Sequence, residues 1–573
     1  MKKMKKVLAM LLSFIMMMSM AMTTFAAPET KAGSKGSITI NGTKEKGYVE
    51  AYRLFALDNV DYTLETVFGD FFKSNYSEMA NLADAELSNK AIEKVKAIQN
   101  GETSGKVAFS QKVLEWIKTQ EQTSKDKFQS VKQSVKAATG TTTISNLPYG
   151  FYMIYTQGAT SQPVEGTEKT PAIMVNVSGA TRTVNLKSEY PTVDKTITPP
   201  INDPDDVTPG QNGNVVIDPS WEGNHGMGLD SVTDPSNAGD FQVGEVITFK
   251  LTAKVPDMTG FTDYTFKFHD TLSKGLTFKA VQKVTVGSEI IKPVAAGTAE
   301  KNSYTVTLDK TSVPEKTKLT ITMNKFLDSY KGNVGQTIEV IYKAVVNKDA
   351  VVGMNPNTNE AEVEFSNDPN NSNTTDKSET DIVDVHTFGF DVFKFYKEAN
   401  SEEKNPLPGA KFELYKDDAC AQKIKLTQQD GKTWIVTEDQ DTGTDNPIIT
   451  PETTGKVTIK GLAAGTYYLK EIEAPAEYNK LKQAIKIEII PDYNKDTGKL
   501  EKYTVVYMLE GKPEVSQEIK NGETSATIEV ENKKGTLLPE TGGMGTVIFT
   551  VVAIVLILGV AASFVFSRRR DRR

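Results

Sequence analysis

Short segments in which apolar and polar residues alternate recur along most of this chain, and they restrict it to a fold built from β-strands. Alternation with a period of two places one face of a segment in a core and the other in solvent. Clear examples are residues 37–40, 172–177, 245–251 and 337–342. Turn residues separate these segments, which is typical of sandwiches. We therefore predict a mostly β chain of tandem immunoglobulin-like β-sandwich domains.

One stretch near the start departs from this alternation, because its apolar residues recur close to a period of 3.6. These residues are Leu82, Ala85, Ile92, Val95, Ile98, Val113, Leu114 and Ile117. The pattern predicts two amphipathic helices that pack on a β-core. The first domain should therefore contain a helical insert.

The first 26 residues have the order of a secretory signal peptide. Lys2, Lys3, Lys5 and Lys6 precede an apolar run at 7–22, and 24–26 supply a small-residue cleavage site. The alternative is a membrane anchor, but the run is short and a polar chain follows it. We expect export by the Sec route.

The C-terminal end carries a second apolar segment, residues 547–566, which is long enough to cross a bilayer as a helix. Five arginines follow it and favour a cytoplasmic tail. They are Arg568, Arg569, Arg570, Arg572 and Arg573. Everything before this transmembrane helix should then lie outside the cell.

A short motif stands just before this apolar segment. It consists of Leu538, Pro539, Glu540, Thr541 and Gly542. With the apolar run and the arginine tail, it resembles the sorting signal of cell-wall-anchored Gram-positive proteins. The resemblance implies that a sortase cleaves after Thr541, holds it as a thioester and passes it to an amine. An ordinary membrane anchor would lack this motif, so 536–573 is predicted to be a sorting signal that leads to attachment to peptidoglycan.

Chain length indicates the number of domains, and net charge indicates which partners are disfavoured. The 573 residues predict about three or four domains, which we place at 27–187, 188–385 and 386–535 between the terminal signals. The net charge of −8 disfavours nucleic acid as a partner. Residues 197–240 are rich in Pro, Gly, Asp and Asn and are predicted to form a long surface loop.

No hydrolytic, redox or metal-binding pattern is evident, so we predict neither an enzyme nor a cofactor. Cys420 is the only cysteine, which excludes an intrachain disulfide in an exported protein. The three histidines His225, His269 and His386 are scattered. An acidic cluster in the predicted loop could in principle bind Ca²⁺, but the loop lacks the glycine and the terminal glutamate of an EF-hand. It consists of Asp203, Asp205 and Asp206.

The third domain contains residues 407–414 and 467–478, which resemble the B-type repeat domain of the staphylococcal collagen adhesin. Ile472 and Glu477 depart from that family's pattern, while its acid is kept as Glu471. The resemblance implies that Lys394 condenses with Asn532 and that Glu471 catalyses this step. A desolvated lysine is a nucleophile and a buried carboxylic acid polarises an amide, so the chemistry is physically sound. Without the resemblance, Glu471 and Lys394 could be solvated strand residues.

The middle domain resembles the isopeptide-forming second domain of pilus backbone subunits, through residues 241–245, 270–276 and 364–369. This resemblance implies that Lys195 is the amine, Asn367 the amide and Asp270 the catalytic acid. From the residues alone, Asp270 could equally form a turn.

The first domain repeats part of the third, because the pattern of Leu147, Gly150 and Tyr152 recurs at Leu462, Gly465 and Tyr467. Six residues beyond Gly465 lies Glu471, but six beyond Gly150 lies Thr156, which cannot act as an acid. We therefore expect no such bond in the first domain.

The resemblance to pilus backbone proteins also implies an acceptor lysine at the end of the first domain. That family carries Val-Tyr-Pro-Lys there, and this chain has Val184 and Lys187 with Asn185 and Leu186 between them. The chain is thus expected to be the shaft subunit of a sortase-polymerised pilus, with Thr541 joined to Lys187 of the next copy. Minor or tip pilins are possible further partners. The alternative is a monomeric wall-anchored adhesin.

Overall fold

The computed structural model describes residues 33–101, 103–159, 172–179, 181–186, 190–198, 237–312, 315–371, 373–494, 497–523, 525–535, 552–558 and 560. The predicted signal peptide, Lys187, the sorting motif and the acidic cluster lie outside these residues. The described sheets each draw their strands from one of three stretches, which we call the first (33–186), middle (190–386) and third (388–535) regions. The chain is mostly β, as the alternation predicts.

The first region contains a sheet of order β5-β1-β8 and a sheet of order β3-β2-β6-β7, with β4 paired to β2. Its strands are β1 (Lys35–Thr43), β2 (Tyr48–Asp58), β3 (Asp61–Leu64), β4 (Lys132–Lys136), β5 (Gly140–Pro148), β6 (Gly150–Thr156), β7 (Ala172–Val177) and β8 (Thr181–Asn185). Between β3 and β4 the chain forms α1 (Gly69–Asn75), α2 (Asp84–Asn100) and α3 (Thr103–Thr123), with 3₁₀ turns at Thr66–Phe68 and Ser77–Met79. The predicted helical insert is confirmed, since Val95, Val113, Leu114 and Ile117 are buried against the sheet.

The middle region is a sandwich of two sheets. One has the order β14-β13-β18-β11-β9, and the other β10-β21-β19-β12-β17-β16-β15, with β20 paired to β19. The strands are β9 (Asp194–Thr198), β10 (Ala238–Asp240), β11 (Val246–Lys254), β12 (Phe266–Leu272), β13 (Leu276–Val286), β14 (Glu289–Ile290), β15 (Lys292–Pro293), β16 (Ser303–Asp309), β17 (Thr317–Asn324), β18 (Thr337–Val346), β19 (Asn357–Ser366), β20 (Thr375–Lys377) and β21 (Asp381–His386). A short helix, α4 (Phe326–Tyr330), follows β17.

The third region is a second sandwich. Its sheets have the orders β23-β22-β29-β27-β26, with β34 paired to β22, and β25-β24-β30-β31-β32-β33, with β28 paired to β24. The strands are β22 (Phe388–Tyr396), β23 (Asn405–Pro406), β24 (Lys411–Tyr415), β25 (Lys423–Ile424), β26 (Leu426–Gln428), β27 (Thr433–Val436), β28 (Ile448–Ile449), β29 (Lys456–Leu462), β30 (Gly465–Glu473), β31 (Ile485–Tyr493), β32 (Leu500–Met508), β33 (Val515–Ile519) and β34 (Thr527–Glu531).

The apolar core runs without a break from the middle region into the third, whereas the first region has separate core clusters. A backbone hydrogen bond also joins the middle and third regions, from Val243 N to Gly461 O at 2.9 Å. These two regions are therefore held together by burial of apolar surface as well as by the chain itself.

The predicted loop at 197–240 is wrong at both ends. Residues 197 and 198 belong to β9, which pairs with β11, and 238–240 form β10, which pairs with β21. Of the predicted transmembrane segment, residues 552–558 are helical. Within the part of the chain that the structure describes, no helix has the length and apolar character needed to cross a membrane.

Candidate functional site

Three polar side chains meet inside the third region. Lys394 on β22 donates from Nζ to Asn532 Oδ1 at 2.5 Å, and Asn532 Nδ2 donates to Glu471 Oε1 at 2.8 Å. Nζ also lies 3.3 Å from Glu471 Oε1. Strand β34 runs parallel to β22, so Asn532, the residue after β34, lies beside Lys394. Glu471 comes from β30 in the opposite sheet. The structure thus brings together the three residues that the sequence predicted for this region.

Burial prepares Lys394 for nucleophilic chemistry. The side chains of Lys394 and Glu471 are fully buried and Asn532 is 2% exposed. Burial lowers the pKa of Lys394 to about 8, against the opposing attraction of Glu471. About a tenth of this amine is therefore uncharged at pH 7, with its nitrogen in contact with the amide of Asn532.

A second buried site lies between the two sheets of the middle region. Lys195 Nζ donates to Asp270 Oδ2 and, at 2.6 Å, to the hydroxyl of Tyr342. The Tyr342 hydroxyl donates to Asp270 Oδ2 at 2.9 Å and accepts from Asn359 Nδ2 at 2.6 Å. Lys195 and Tyr342 come from one sheet, and Asp270 and Asn359 come from neighbouring strands of the other. This arrangement supplies an amine, an acid and an amide, as in the third region.

The amide in this site is Asn359, and the prediction of Asn367 is wrong. Asn359 lies diagonally across from Asp270, because Asp270 pairs with Ala361 in the register of β12 and β19. Asn367 follows the end of β19 and lies about 27 Å further along, at 3.4 Å per residue. Its side chain lies beside Gly158 of the first region. Asn367 therefore cannot reach Lys195.

Burial shifts both titratable partners of this site toward their neutral forms. It lowers the pKa of Lys195 and raises that of Asp270, and the attraction between them only partly opposes these shifts. Asp270 Oδ1 and Asn359 Oδ1 are buried and have no hydrogen-bond partner. A proton on the Asp270 carboxyl would provide the donor that the amide oxygen lacks.

The first region holds a buried ion cluster that sequence reasoning missed. Lys118 on α3 is fully buried, with Nζ 2.6 Å from Glu50 Oε2 and 3.0 Å from Glu121 Oε2. Lys132 pairs with the same two carboxylates at 2.6 and 3.0 Å. Thr156, at the position that Glu471 has in the third region, is buried and its hydroxyl has no partner. The only signal in the sequence was a lysine next to the apolar face of α3.

The other candidate residues show no common site. His269 contacts Glu364 at 2.6 Å and Thr320 at 3.0 Å, and His386 is buried with Nδ1 facing Gly353 O at 3.2 Å. Cys420 is half-buried in a turn. Among the described residues, no group of three or more His, Cys, Asp or Glu side chains could hold a metal ion. His225 and the acidic cluster at 203–206 lie outside those residues.

Protein-family models match three separate parts of this chain. Residues 243–369 match the Gram-positive pilin backbone subunit 2, Cna-B-like domain, and residues 393–504 match a prealbumin-like fold domain. Residues 530–571 match the LPXTG cell wall anchor motif. The chain thus contains a Gram-positive pilin backbone domain, a prealbumin-like fold domain and a cell wall anchor motif. The anchor implies processing by a sortase, and the pilin domain implies polymerisation with other pilin copies.

Among individual proteins, the chain is similar to the trypsin-resistant surface T6 protein of Streptococcus pyogenes serotype M6. The two are 24% identical over 396 residues, which cover 59% of this chain and 67% of that protein. Solved structures with a similar fold include the T6 backbone pilin of the same organism, at a TM-score of 0.46 and 17% identity, covering 89% of this chain and all of that one. The full-length major pilin SpaD of Corynebacterium diphtheriae gives 0.40 and 17%, covering 88% and 99%.

Proposed function

We propose that this chain is the repeating shaft subunit of a sortase-assembled pilus, in which Thr541 of one copy is joined to Lys187 of the next. The observation that carries this proposal is the buried contact among Lys394, Glu471 and Asn532, repeated in kind in the middle region. Such sites suit a protein under tension that has no disulfide available. The final subunit is attached to peptidoglycan through the same threonine, and tip or minor pilins are possible partners.

The chemistry proposed for the third region is an isopeptide bond. The neutral amine of Lys394 attacks the side-chain carbonyl carbon of Asn532, the C–Nδ2 bond breaks, and one ammonia leaves. Glu471, which contacts both groups, polarises the amide and transfers protons. The fold replaces a bimolecular encounter by a fixed contact, which provides much of the rate.

In the middle region we propose the equivalent bond between Lys195 and Asn359, with Asp270 as the acid. Each bond would join an early strand of its sandwich to a late one. Lys394 and Asn532 are separated by 138 residues, so the closed loop is worth about 5 kcal/mol on the disulfide entropy scale. The three sheet groups support domain limits close to 27–187, 188–385 and 386–535, with the middle sheet ending at His386. We also propose terminal signals at 1–26 and 536–573.

Intact mass spectrometry of the recombinant ectodomain tests these bonds. The wild type should be lighter than its sequence by two ammonia molecules. Glu471→Ala should restore one ammonia and leave the other loss untouched, because the two sites lie in separate sandwiches. It should also lower the melting temperature and expose the third region to trypsin. A wild-type mass equal to that of the unmodified sequence would refute the proposal of both bonds.

A denaturing gel of cell wall extract from the native host tests polymerisation. A shaft subunit gives a ladder of high-mass species, because the bonds between copies survive denaturation. A single band would instead favour the monomeric wall-anchored adhesin.

A further inference from the structure

The hydroxyl of Tyr342 occupies the centre of the middle site. It lies 2.6 Å from Lys195 Nζ, 2.6 Å from Asn359 Nδ2 and 2.9 Å from Asp270 Oδ2. One oxygen therefore contacts the attacking nitrogen, the departing nitrogen and the acid. No sequence pattern had singled out this tyrosine.

The position of this hydroxyl is fixed by packing. Tyr342 is fully buried, and its ring stacks on Phe249 with centroids 5.4 Å apart. The ring of Phe278 also packs against it, with centroids 6.2 Å apart. The third region needs no such bridge, because Lys394 contacts its asparagine directly.

We propose that Tyr342 is a catalytic residue for bond formation in the middle region, where it relays a proton from Lys195 to the departing nitrogen of Asn359. This role rests on the proposed isopeptide bond. It adds a fourth functional group to the amine–acid–amide set and makes the two sites of this chain mechanistically different.

The step balances in atoms and protons. When Lys195 Nζ bonds to the carbonyl carbon of Asn359, the nitrogen holds one proton too many and Nδ2 lacks one to leave as ammonia. Tyr342 gives its hydroxyl proton to Nδ2 and receives one from Nζ, so the phenol is regenerated. The products are the amide and one ammonia. Burial raises the pKa of Tyr342 well above its usual value, so the phenol is neutral before and after the relay.

The test is Tyr342→Phe, which keeps the ring and removes only the hydroxyl. Intact mass is followed over time after rapid purification, with peptide mapping to assign each ammonia loss. We expect the third-region bond to form fully and the middle bond to form at least about a hundredfold more slowly, the lower end of the range for loss of a proton-transfer group. The third-region bond is an internal control in the same molecule.

Tyr330→Phe is the matched control, because its buried hydroxyl also lies in the middle region but has no hydrogen-bond partner. It should leave both bonds unchanged.

To separate chemistry from folding, Asn359→Ala is compared with Asn359→Ala/Tyr342→Phe, neither of which can form the bond. Similar melting temperatures for this pair, with slow bond formation in Tyr342→Phe alone, support the relay.

Formation of the middle bond at the wild-type rate in Tyr342→Phe would overturn the role of Tyr342 and leave the bond itself standing. A wild type that retains the middle ammonia would instead overturn the bond, and with it the relay. The two failures are therefore distinguishable.

Discussion

Lys394 and Lys118 are both fully buried, but their neighbours give them different chemistry. Lys394 faces one carboxylate and the amide of Asn532. Lys118 faces two carboxylates, Glu50 and Glu121. Burial alone would raise the pKa of each carboxyl, but attraction to Lys118 and Lys132 lowers it below the usual value. Two lysines and two carboxylates therefore face one another in this cluster, which is a buried ion network.

Substitution of single residues can distinguish Asn359 on β19 from Asn367, which follows the end of this strand. Asn359→Ala should remove the amide that contacts Tyr342, so its ectodomain should lose only the ammonia of the third region. Asn367→Ala is the matched control and should lose both. Intact mass distinguishes the variants directly. A single loss in Asn367→Ala and two in Asn359→Ala would reverse the assignment.

Resemblance to known families identified most site residues, and in the structure such residues interrupt a run of inward-facing apolar side chains. Asp270 follows Phe266 and Phe268 on the buried face of β12, and Lys394 follows Phe390 and Val392 in the same way. The amide of the middle region could not be chosen by this rule. An even number of positions separates the candidate asparagines Asn357, Asn359 and Asn367, so alternation alone does not distinguish them. Only the register between β12 and β19 places Asn359 diagonally across from Asp270. Register depends on contacts between distant strands, which alternation alone does not specify.

At the level of elements, the segment from the last residue of β10 to the start of β11 carries two buried carboxyls at the joint with the third region. Asp240 accepts a hydrogen bond from Ala464 N at 2.5 Å, and Glu245 lines a cavity with Lys416 and Glu438. Burial raises the pKa of Asp240 to about 6 and that of Glu245 to about 7. Both folded-state values exceed the usual ones, so their stabilising effect is complete below about pH 4 and is lost as the pH rises through these values.

Glu245→Gln should remove one part of this pH dependence, because glutamine cannot ionise. Between about pH 5 and pH 8 the wild type should lose about 3 kcal/mol of unfolding free energy relative to the variant. The melting temperature across this range is the measurement, with the exposed Glu510→Gln as control. Parallel curves for wild type and Glu245→Gln would contradict the assignment of Glu245.

Gly244, in the same segment, should tolerate no side chain. Its φ is +91°, and a Cβ there would lie 2.1 Å from Glu438 O in the third region. Gly244→Ala should therefore destabilise the joint by more than about 2 kcal/mol, since backbone strain and a clash with main chain combine. Gly297→Ala is the control, because its φ is +87° but no atom lies within 4 Å. Thermal melting reports the difference, and equal losses of stability in both variants would mean that strain alone matters.

The elements themselves could largely be predicted from sequence, whereas their junctions could not. The 3.6 period of the helical insert and the alternation in β18 and β24 each report a single amphipathic face. Strand β10 escaped notice because Ala238, Gly239 and Asp240 have no apolar alternation. It is held by pairing with β21, which is a tertiary contact.

On the scale of the whole molecule, the proposed bonds define a short covalent path. Tension entering at Lys187 reaches Lys195 a few residues later, crosses to Asn359, follows the chain through β21 into β22, and crosses from Lys394 to Asn532 before Thr541. The first region lies outside this path. It also has its own core clusters, so it should be the part that unfolds independently of the other two.

We expect the polymer to grow through Lys187. An acceptor at the end of the first region and a donor after the third make a head-to-tail contact that does not close, and open repetition gives a fibre. Lys187→Ala in the native host should therefore abolish the high-mass ladder, while the monomer remains folded and wall-linked through its sorting motif. Lys136→Ala, a lysine of the same region whose side chain is 70% exposed, should leave the ladder intact. A ladder that persists in Lys187→Ala would assign the acceptor to another lysine.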